Sequence, residues 1–247
     1  MVEASCVVTG ASSGIGAAIA AELVRRGWQV IGLDQADPPD GSVEVVIGDV
    51  ADKADHARAA ERAVELGPLR GWVNCAGYNI LGAVTEVSES DLMRGVSVDL
   101  FGVFHETAEA VSRFQALPVE GRRCAIVNIS SIQASVGFPG FAAYAMAKGG
   151  IESLTRQVAA EYVAEGIRVN AVAPGLVRSP MNDVLADDER QARWQHITPM
   201  GRWAEPHEIA TAVAFLLSPD ASYITGEVLG VNGGALALAP GQGTRRG

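Results

Sequence analysis

Tyr144 and Lys148 stand four residues apart in a stretch, Tyr144-Ala-Met-Ala-Lys148, that reads as helix. At that spacing a phenol and an ammonium project from one helix face toward a common point. An unperturbed tyrosine titrates near ~10, so at neutral pH it is a poor base. A neighbouring cation favours the phenolate and lowers that value. Such a pair can serve as proton donor and acceptor for a carbonyl and its alcohol. Many helix surfaces carry the same pair by chance, so the chemistry depends on what else the chain brings to it.

An electron carrier is the first requirement, and the N-terminal segment has the features of a site for one. Residues 5–9 form a short apolar run, followed by Gly10-Ala-Ser12-Ser13-Gly14-Ile15-Gly16 and an amphipathic pattern carrying Ile19, Leu23 and Val24 to Arg26, where Gly27 stops it. This predicts strand, glycine turn, helix. The glycines allow a tight turn and close backbone approach, and the helix N-terminus offers free N–H groups to a pyrophosphate. Residues 29–33 predict a second strand ending in Asp34, roughly twenty residues past the turn, where an acid can accept hydrogen bonds from an adenosine ribose. A carboxylate there repels a 2′-phosphate, and neither Ser12 nor Ser13 is basic. NAD is therefore expected over NADP.

The remaining elements must position these groups. A loop over 35–42 leads to a strand at 43–47, then Gly48-Asp49-Val50 and an Ala-rich helix over 52–66. A strand at 71–74 runs into Asn74-Cys-Ala76-Gly77, small residues suited to close backbone approach. Ser88-x-x-Asp91 resembles a capping box opening a long helical segment to about 117, which Gly95 and Gly102 interrupt and bend. A strand at 124–129 ends in Ser130-Ser131, the helix of Tyr144 and Lys148 runs to about 164, and a strand at 167–173 ends in Pro174-Gly175. The segment 176–204, with Met181, Leu185, Trp194, Ile197, Met200 and Trp203, is expected to cover the substrate as a lid. A helix over 206–217 and a strand over 227–231 precede Asn232-Gly-Gly234 and a short tail, 235–247. Strands alternating with helices predict one α/β domain over 1–247, a doubly wound parallel sheet of Rossmann type with helices on both faces.

Composition narrows the function classes. The 247 residues carry a net charge of −10 with scattered basic residues, which argues against a nucleic-acid surface. No apolar run approaches the ~18 residues of a membrane span, and the N-terminus lacks the pattern of a signal peptide. Cys6, Cys75 and Cys124 each lie in or beside a strand without CxxC spacing and read as small buried hydrophobes. His56, His105, His196 and His207 form no ligand pattern, so no metal site is expected. A cytoplasmic location is the expectation.

With these residues in view, the chain resembles the short-chain dehydrogenase/reductase family in its single-domain branch, over about residues 5–234. The motifs are Thr9-Gly10-x-x-x-Gly14-Ile15-Gly16, Asp34, Asp49-Val50, Asn74-x-Ala76-Gly77, Ser131, Tyr144-x-x-x-Lys148 and Pro174-Gly175. The resemblance implies hydride transfer between an alcohol and a ketone with a nicotinamide cofactor. It assigns Ser131 to the substrate oxygen, Tyr144 to the proton, and Lys148 to lowering the tyrosine pKa and binding the nicotinamide ribose. Asp49 and Val50 would meet the adenine, Asn74 the adenosine-side ribose region, and Pro174, Gly175, Val177 and Ser179 the nicotinamide amide. Ser179 replaces a common threonine and keeps the hydroxyl. A second departure is sharper: a catalytic asparagine is usual where this chain has Asp99, and an ionised carboxylate accepts hydrogen bonds but cannot donate them. The resemblance also implies a homo-oligomer, tetramer or dimer, joined through the helices around 89–117 and 140–164 and the last strand.

The leading expectation is an NAD-dependent secondary-alcohol dehydrogenase or ketoreductase. An NADPH-dependent 3-oxoacyl thioester reductase is the enzymatic alternative, against which Asp34 counts, and sugar, polyol and steroid dehydrogenases share the scaffold. A nucleotide-sensing protein without chemistry is the alternative from another class; Ser131, Tyr144 and Lys148 together argue against it.

Overall fold

The computed structural model describes residues 4–39, 41–183 and 198–237. Seven strands, β1 (Ser5–Thr9), β2 (Gln29–Asp34), β3 (Glu44–Ile47), β4 (Leu69–Asn74), β5 (Cys124–Ile129), β6 (Ile167–Pro174) and β7 (Val228–Val231), form one sheet in the order β3-β2-β1-β4-β5-β6-β7. Every pairing is parallel. Parallel strands covered on both faces need apolar side chains on both, which is why residues 6–8 of β1 and 124–127 of β5 read as unbroken apolar runs. Cys6 and Val8 of β1 face one layer and Val7 the other.

On the first face, Ile19 and Leu23 of α1 (Gly14–Arg25) and Ile209, Val213 and Leu217 of α7 (Pro206–Leu217) pack against Val73, Val127 and Val172. On the other, Ala59 and Ala63 of α2 (Lys53–Leu66), Val111 and Phe114 of α4 (Val103–Gln115) and Val158 of α5 (Ala142–Tyr162) cover Trp72, Ile126 and Val169. The chain reverses its direction of winding between β1 and β4. The carboxyl ends of those strands therefore open a crevice, the place where open α/β sheets bind ligands.

Most boundaries fall where the apolar pattern puts them. β4 begins two residues earlier than expected, because Leu69 is buried and pairs with Ser5 despite the polar Arg70 between. Helix α5 stops at Tyr162 and tightens into a 3₁₀ turn, Val163–Glu165, before Gly166 at φ 80°. A side chain at Gly166 would meet the Arg122 carbonyl at 2.4 Å.

The helical stretch opened by Ser88 differs most from a regular helix. Ser88 Oγ accepts the Asp91 N–H at 3.1 Å and caps α3 (Glu89–Val96), after which Ser97–Gly102 widens into π-helical turns before α4. The expected bend between Gly95 and Gly102 thus takes a specific form. Gly102 lies against the Val50 carbonyl, 2.9 Å from where its Cβ would be, so the backbone approaches β3's trailing loop closely. The wide turns carry Asp99 inward to complete burial, and such turns are commonly found at functional sites.

Both ends of the expected lid are tied together. Val177 and Ala204 form a bridge, with Ala204 N–H donating to Leu176 O at 2.8 Å and Arg178 N–H to Ala204 O at 3.0 Å. Met181 lies in a short α6 (Pro180–Asp183), Trp203 is buried and Met200 is exposed. Leu185, Trp194, Ile197 and His196, like the tail beyond Ala237, lie outside the described residues.

Candidate active site

The crevice is floored by the glycine turn. Gly10 has φ +69°, and a Cβ there would stand 3.0 Å from the Ala76 backbone; a Cβ on Gly16 would stand 1.9 Å from the Gly10 carbonyl. Turn and helix thus nest with no room for side chains, and α1 presents its N-terminus to the cleft. Ser13 is its N-cap but makes no side-chain capping bond, so the first-turn N–H groups of Gly14, Ile15 and Gly16 face a lining they share with Asp34. This cradle suits a pyrophosphate.

Asp34 is fixed from both sides: Oδ2 accepts the Ser12 N–H at 2.9 Å and Oδ1 the Gln35 N–H at 2.7 Å. Ser12 is placed beside the cleft rather than in its lining, its hydroxyl donating to the Ala36 carbonyl. Its contribution is to tie the glycine turn to the end of β2. Asn74 is displaced in the same way. Its side chain, expected near a ribose, is buried and donates to Asn128 Oδ1 at 2.7 Å and Thr107 Oγ1 at 3.1 Å. At the last position of a strand in register with Asn128, it turns into the sheet's interior. The backbone after it does reach the cleft. Ala76 and Gly77 line it, and Thr9 Oγ1 holds the Cys75 and Ala76 N–H groups at 3.0 and 3.1 Å. Burial pushes the neighbouring Cys75 thiol up to about 12, which keeps it protonated.

At the β3 end, Asp49 and Val50 line the cleft. Asp49 Oδ2 accepts from Gln35 Nε2 and Arg94 Nη2, both at 3.2 Å. At the other end Pro174, Gly175, Val177 and Ser179 enter the lining from the loop after β6.

Ser131, Tyr144 and Lys148 meet between these ends. Ser131 follows β5, and its hydroxyl acts on the Tyr144 phenol to lower its pKa. Lys148 Nζ lies 5.4 Å from the Tyr144 ring centre, donates to the Ile129 carbonyl at 3.2 Å and faces Asp99 Oδ1 at 3.7 Å. Asp99 Oδ1 also takes the Tyr78 N–H at 2.9 Å, while the buried Oδ2 has no partner among the described residues. Burial opposes charge on Lys148, but Asp99 and then Tyr144 outweigh it and raise its pKa. Burial likewise pushes the Asp99 carboxyl up against the pull of Lys148. For Tyr144, burial raises the pKa, Lys148 opposes the rise and Asp99 adds to it. The expected pull of Lys148 on the phenol is present, yet in this structure burial outweighs it.

Nearly the whole chain matches known proteins. The family model described as Enoyl-(Acyl carrier protein) reductase matches residues 10–235. The chain belongs to the short-chain dehydrogenase/reductase family. It is 45% identical to a protein named inactive 2-(S)-hydroxypropyl-CoM dehydrogenase 2 of Xanthobacter autotrophicus, over 89% of this chain and all of that one. It is 35% identical to 3beta-hydroxysteroid dehydrogenase 1 of Eggerthella lenta, over 95% of this chain and 94% of that protein. The ligand-free structure of Thermoplasma acidophilum aldohexose dehydrogenase superposes with a TM-score of 0.89 at 34% identity, covering 97% of this chain and 96% of that one. As a short-chain dehydrogenase/reductase, the chain is an oxidoreductase of a family that uses nicotinamide cofactors.

Several residues of this family member were invisible to the sequence reading. Arg94 and Gln133 line the cleft, and Tyr78 joins them beside Asp99. Their positions depend on tertiary packing, and no local spacing announces them. Glu106 is the other. It is buried on α4 behind Thr9, whose hydroxyl favours its ionised form, but burial dominates and pushes the carboxyl up to about 8. A group whose folded pKa is raised from 4.5 contributes stability below that value and loses it as pH rises toward 8. Glu106→Gln has no such proton to lose. Its melting temperature relative to wild type is expected to climb between about pH 5 and pH 8, worth a few kcal/mol on the order of magnitude of the shift. A gap constant across that range, followed by thermal unfolding, would contradict the assignment.

Proposed function

We propose that the protein is an NAD(H)-dependent oxidoreductase interconverting a secondary alcohol and a ketone, with Tyr144 as the proton donor and acceptor. The observation that carries this is the convergence of Ser131, Tyr144 and Lys148 on the cleft floored by the glycine turn. Glycines 10, 14 and 16, Asp34, Asp49 and Val50, with Ala76, Gly77 and the 174–179 loop, would hold the cofactor; the fit rests on the close backbone packing that any Cβ at Gly10 or Gly16 would disrupt. When bound, the nicotinamide supplies or accepts the hydride. The protein's residues do the rest. Ser131 donates to the substrate oxygen and fixes its orientation. Tyr144 Oη passes a proton to that oxygen as a carbonyl is reduced, or takes one as an alcohol is oxidised. Lys148, held cationic by Asp99, stabilises the phenolate left after donation.

Asp34 supports NAD over NADP, since both its oxygens are held by backbone N–H groups and its charge cannot swing away from a 2′-phosphate. The partner is then a small alcohol or ketone in a cytoplasmic protein. Exposed Met93, Phe101, Phe104 and Met146 on the π turns and helices α3–α5 support a homo-oligomer joined through that surface. A 3-oxoacyl thioester reductase using NADPH is the second reading, favoured by relatives named 3-oxoacyl-[acyl-carrier-protein] reductase in Thermotoga maritima and Vibrio cholerae, 34% and 38% identical to this chain. The relative named inactive keeps a non-catalytic reading in play, and Tyr144 decides it.

Three measurements test the proposal. A panel of secondary alcohols and ketones, followed through the reduced nicotinamide, should be turned over with kcat/KM at least about tenfold higher for NAD than NADP; the reverse preference sinks the role of Asp34. Tyr144→Phe should bind NAD while kcat falls by about 10²-fold to 10⁴-fold; unchanged turnover would reject the mechanism. Asp99→Asn removes a charge that raises the Tyr144 pKa, so the rising limb of alcohol oxidation against pH should move to lower pH. Superimposable profiles would mean that Asp99 does not tune the tyrosine.

A further inference from the structure

We propose that His56, with Asp55 and Arg58 beside it on α2, is a positioning residue for the adenine half of the cofactor, acting through the backbone of the loop that follows β3. This rests on the reading of the cleft as a dinucleotide site. Gly48, Asp49 and Val50 of that loop line the cleft together with Asp34, whereas Asp55, His56 and Arg58 stand outside the lining. Each of the three takes hold of the loop's backbone instead. Arg58 Nη2 donates to the Ile47 carbonyl at 2.8 Å, Asp55 Oδ2 accepts the Asp49 N–H at 2.8 Å, and His56 Nε2 donates to the Val50 carbonyl at 2.9 Å. One turn of helix thus grips three backbone groups within four residues of loop.

His56 is the centre of this grip. It is 1% exposed, and its other ring nitrogen, Nδ1, has no partner among the described residues. A carbonyl can only accept, so Nε2 carries the ring hydrogen and Nδ1 is bare. Burial lowers the imidazole pKa, which keeps that neutral form at pH 7. A buried nitrogen without a partner is unfavourable. An aliphatic side chain would avoid that cost but would leave the Val50 carbonyl without this donor. The surroundings are cut to fit the arrangement. A Cβ on Gly102 would stand 2.9 Å from the Val50 oxygen, and one on Gly48 would collide with the Asp55 carboxylate. At its entry the loop is tied to the acid expected at the ribose, with the Gly48 N–H donating to the Asp34 carbonyl at 2.8 Å. A loop already held in shape spares a nucleotide the entropy of ordering it. The three bonds touch none of Ser131, Tyr144 and Lys148, so their loss should appear in cofactor affinity rather than in the chemical step.

The test titrates ADP-ribose, which carries the adenine half without a nicotinamide, into wild type, His56→Leu and His56→Gln by calorimetry. Leucine removes the donor, while glutamine returns an amide N–H at a similar reach. The dissociation constant should rise about tenfold in His56→Leu, as for the loss of one buried hydrogen bond, and lie within about threefold of wild type in His56→Gln. With NAD and the alcohol turned over fastest in the panel above, KM for NAD in His56→Leu should rise in step while kcat falls by less than about twofold. Wild-type affinity in His56→Leu, a glutamine variant as weak as the leucine one, or a loss in kcat as large as that in KM each overturns the proposal. Arg58 is half exposed, so Arg58→Met loosens the same loop without opening a buried cavity. ADP-ribose should bind that variant about threefold more weakly, and unchanged affinity overturns the clamp even where His56→Leu fails to fold. Failure of wild type to bind ADP-ribose overturns the dinucleotide reading itself, a result distinct from all of these.

Discussion

A lysine ammonium buried to 3% exposure is the constraint on which this site depends. Removing such a charge from water costs several kcal/mol unless geometry supplies partners. Lys148 finds them in the Ile129 carbonyl, the Asp99 carboxylate and the face of Tyr144, each contributed by a different element. β5 brings the carbonyl, the π turns bring Asp99, and α5 brings both the lysine and the tyrosine one helical turn apart. Gly77 permits the meeting: a side chain there would stand 3.2 Å from Asp99 Oδ1 and 3.8 Å from Lys148 Nζ. An aspartate at position 99 changes the balance more than the shape, because its charge competes with the lysine's influence on the phenol.

A second layer holds those elements in place. Asn74 donates to Asn128, Asn128 donates to Thr155 at 2.8 Å, and Thr155 donates to the Ile151 carbonyl. This chain of buried amides and hydroxyls crosses from β4 through β5 into α5, one turn beyond Lys148. Each of these bonds lasts only while its neighbours stay put, so the network specifies one spacing of helix against sheet. Thr9 acts similarly between β1 and the loop after β4. The glycine turn and the catalytic helix are thereby referred to the same strand ends, which is why a cofactor cradle and a proton donor share one cleft.

How much of this the sequence discloses depends on whether the cause is local. The strands and α1 were legible because a doubly covered parallel sheet demands apolar runs, and the turn because only glycine fits where Gly10 meets Ala76. The Tyr144–Lys148 pair was legible from helical spacing. The wide turns at 97–102 were visible only as two glycines, since π winding is set by contact with Val50 and by the burial of Asp99. Ser12 and Asn74 sit in the right stretches yet point elsewhere, because a motif position locates a backbone and leaves the side chain to compete for partners. Arg94, Glu106 and Gln133 left no trace, their partners being remote or absent in sequence.

Glu106, Asp99 and Gln133 differ in what dehydration does to them. Glu106 lies behind Thr9 with one oxygen unpaired, and dehydration drives it toward the neutral acid. Asp99 suffers the same dehydration but faces an ammonium, so its charge retains a partner. Gln133 cannot change its charge at all; an unpaired amide can be relieved only by another hydrogen-bonding group. Its Oε1 is closed to solvent and has no partner among the described residues. Proton uptake relieves an acid within the protein, a route closed to the amide. That asymmetry ties the pH response of the site to its carboxyl groups, first of all to Asp99 facing Lys148.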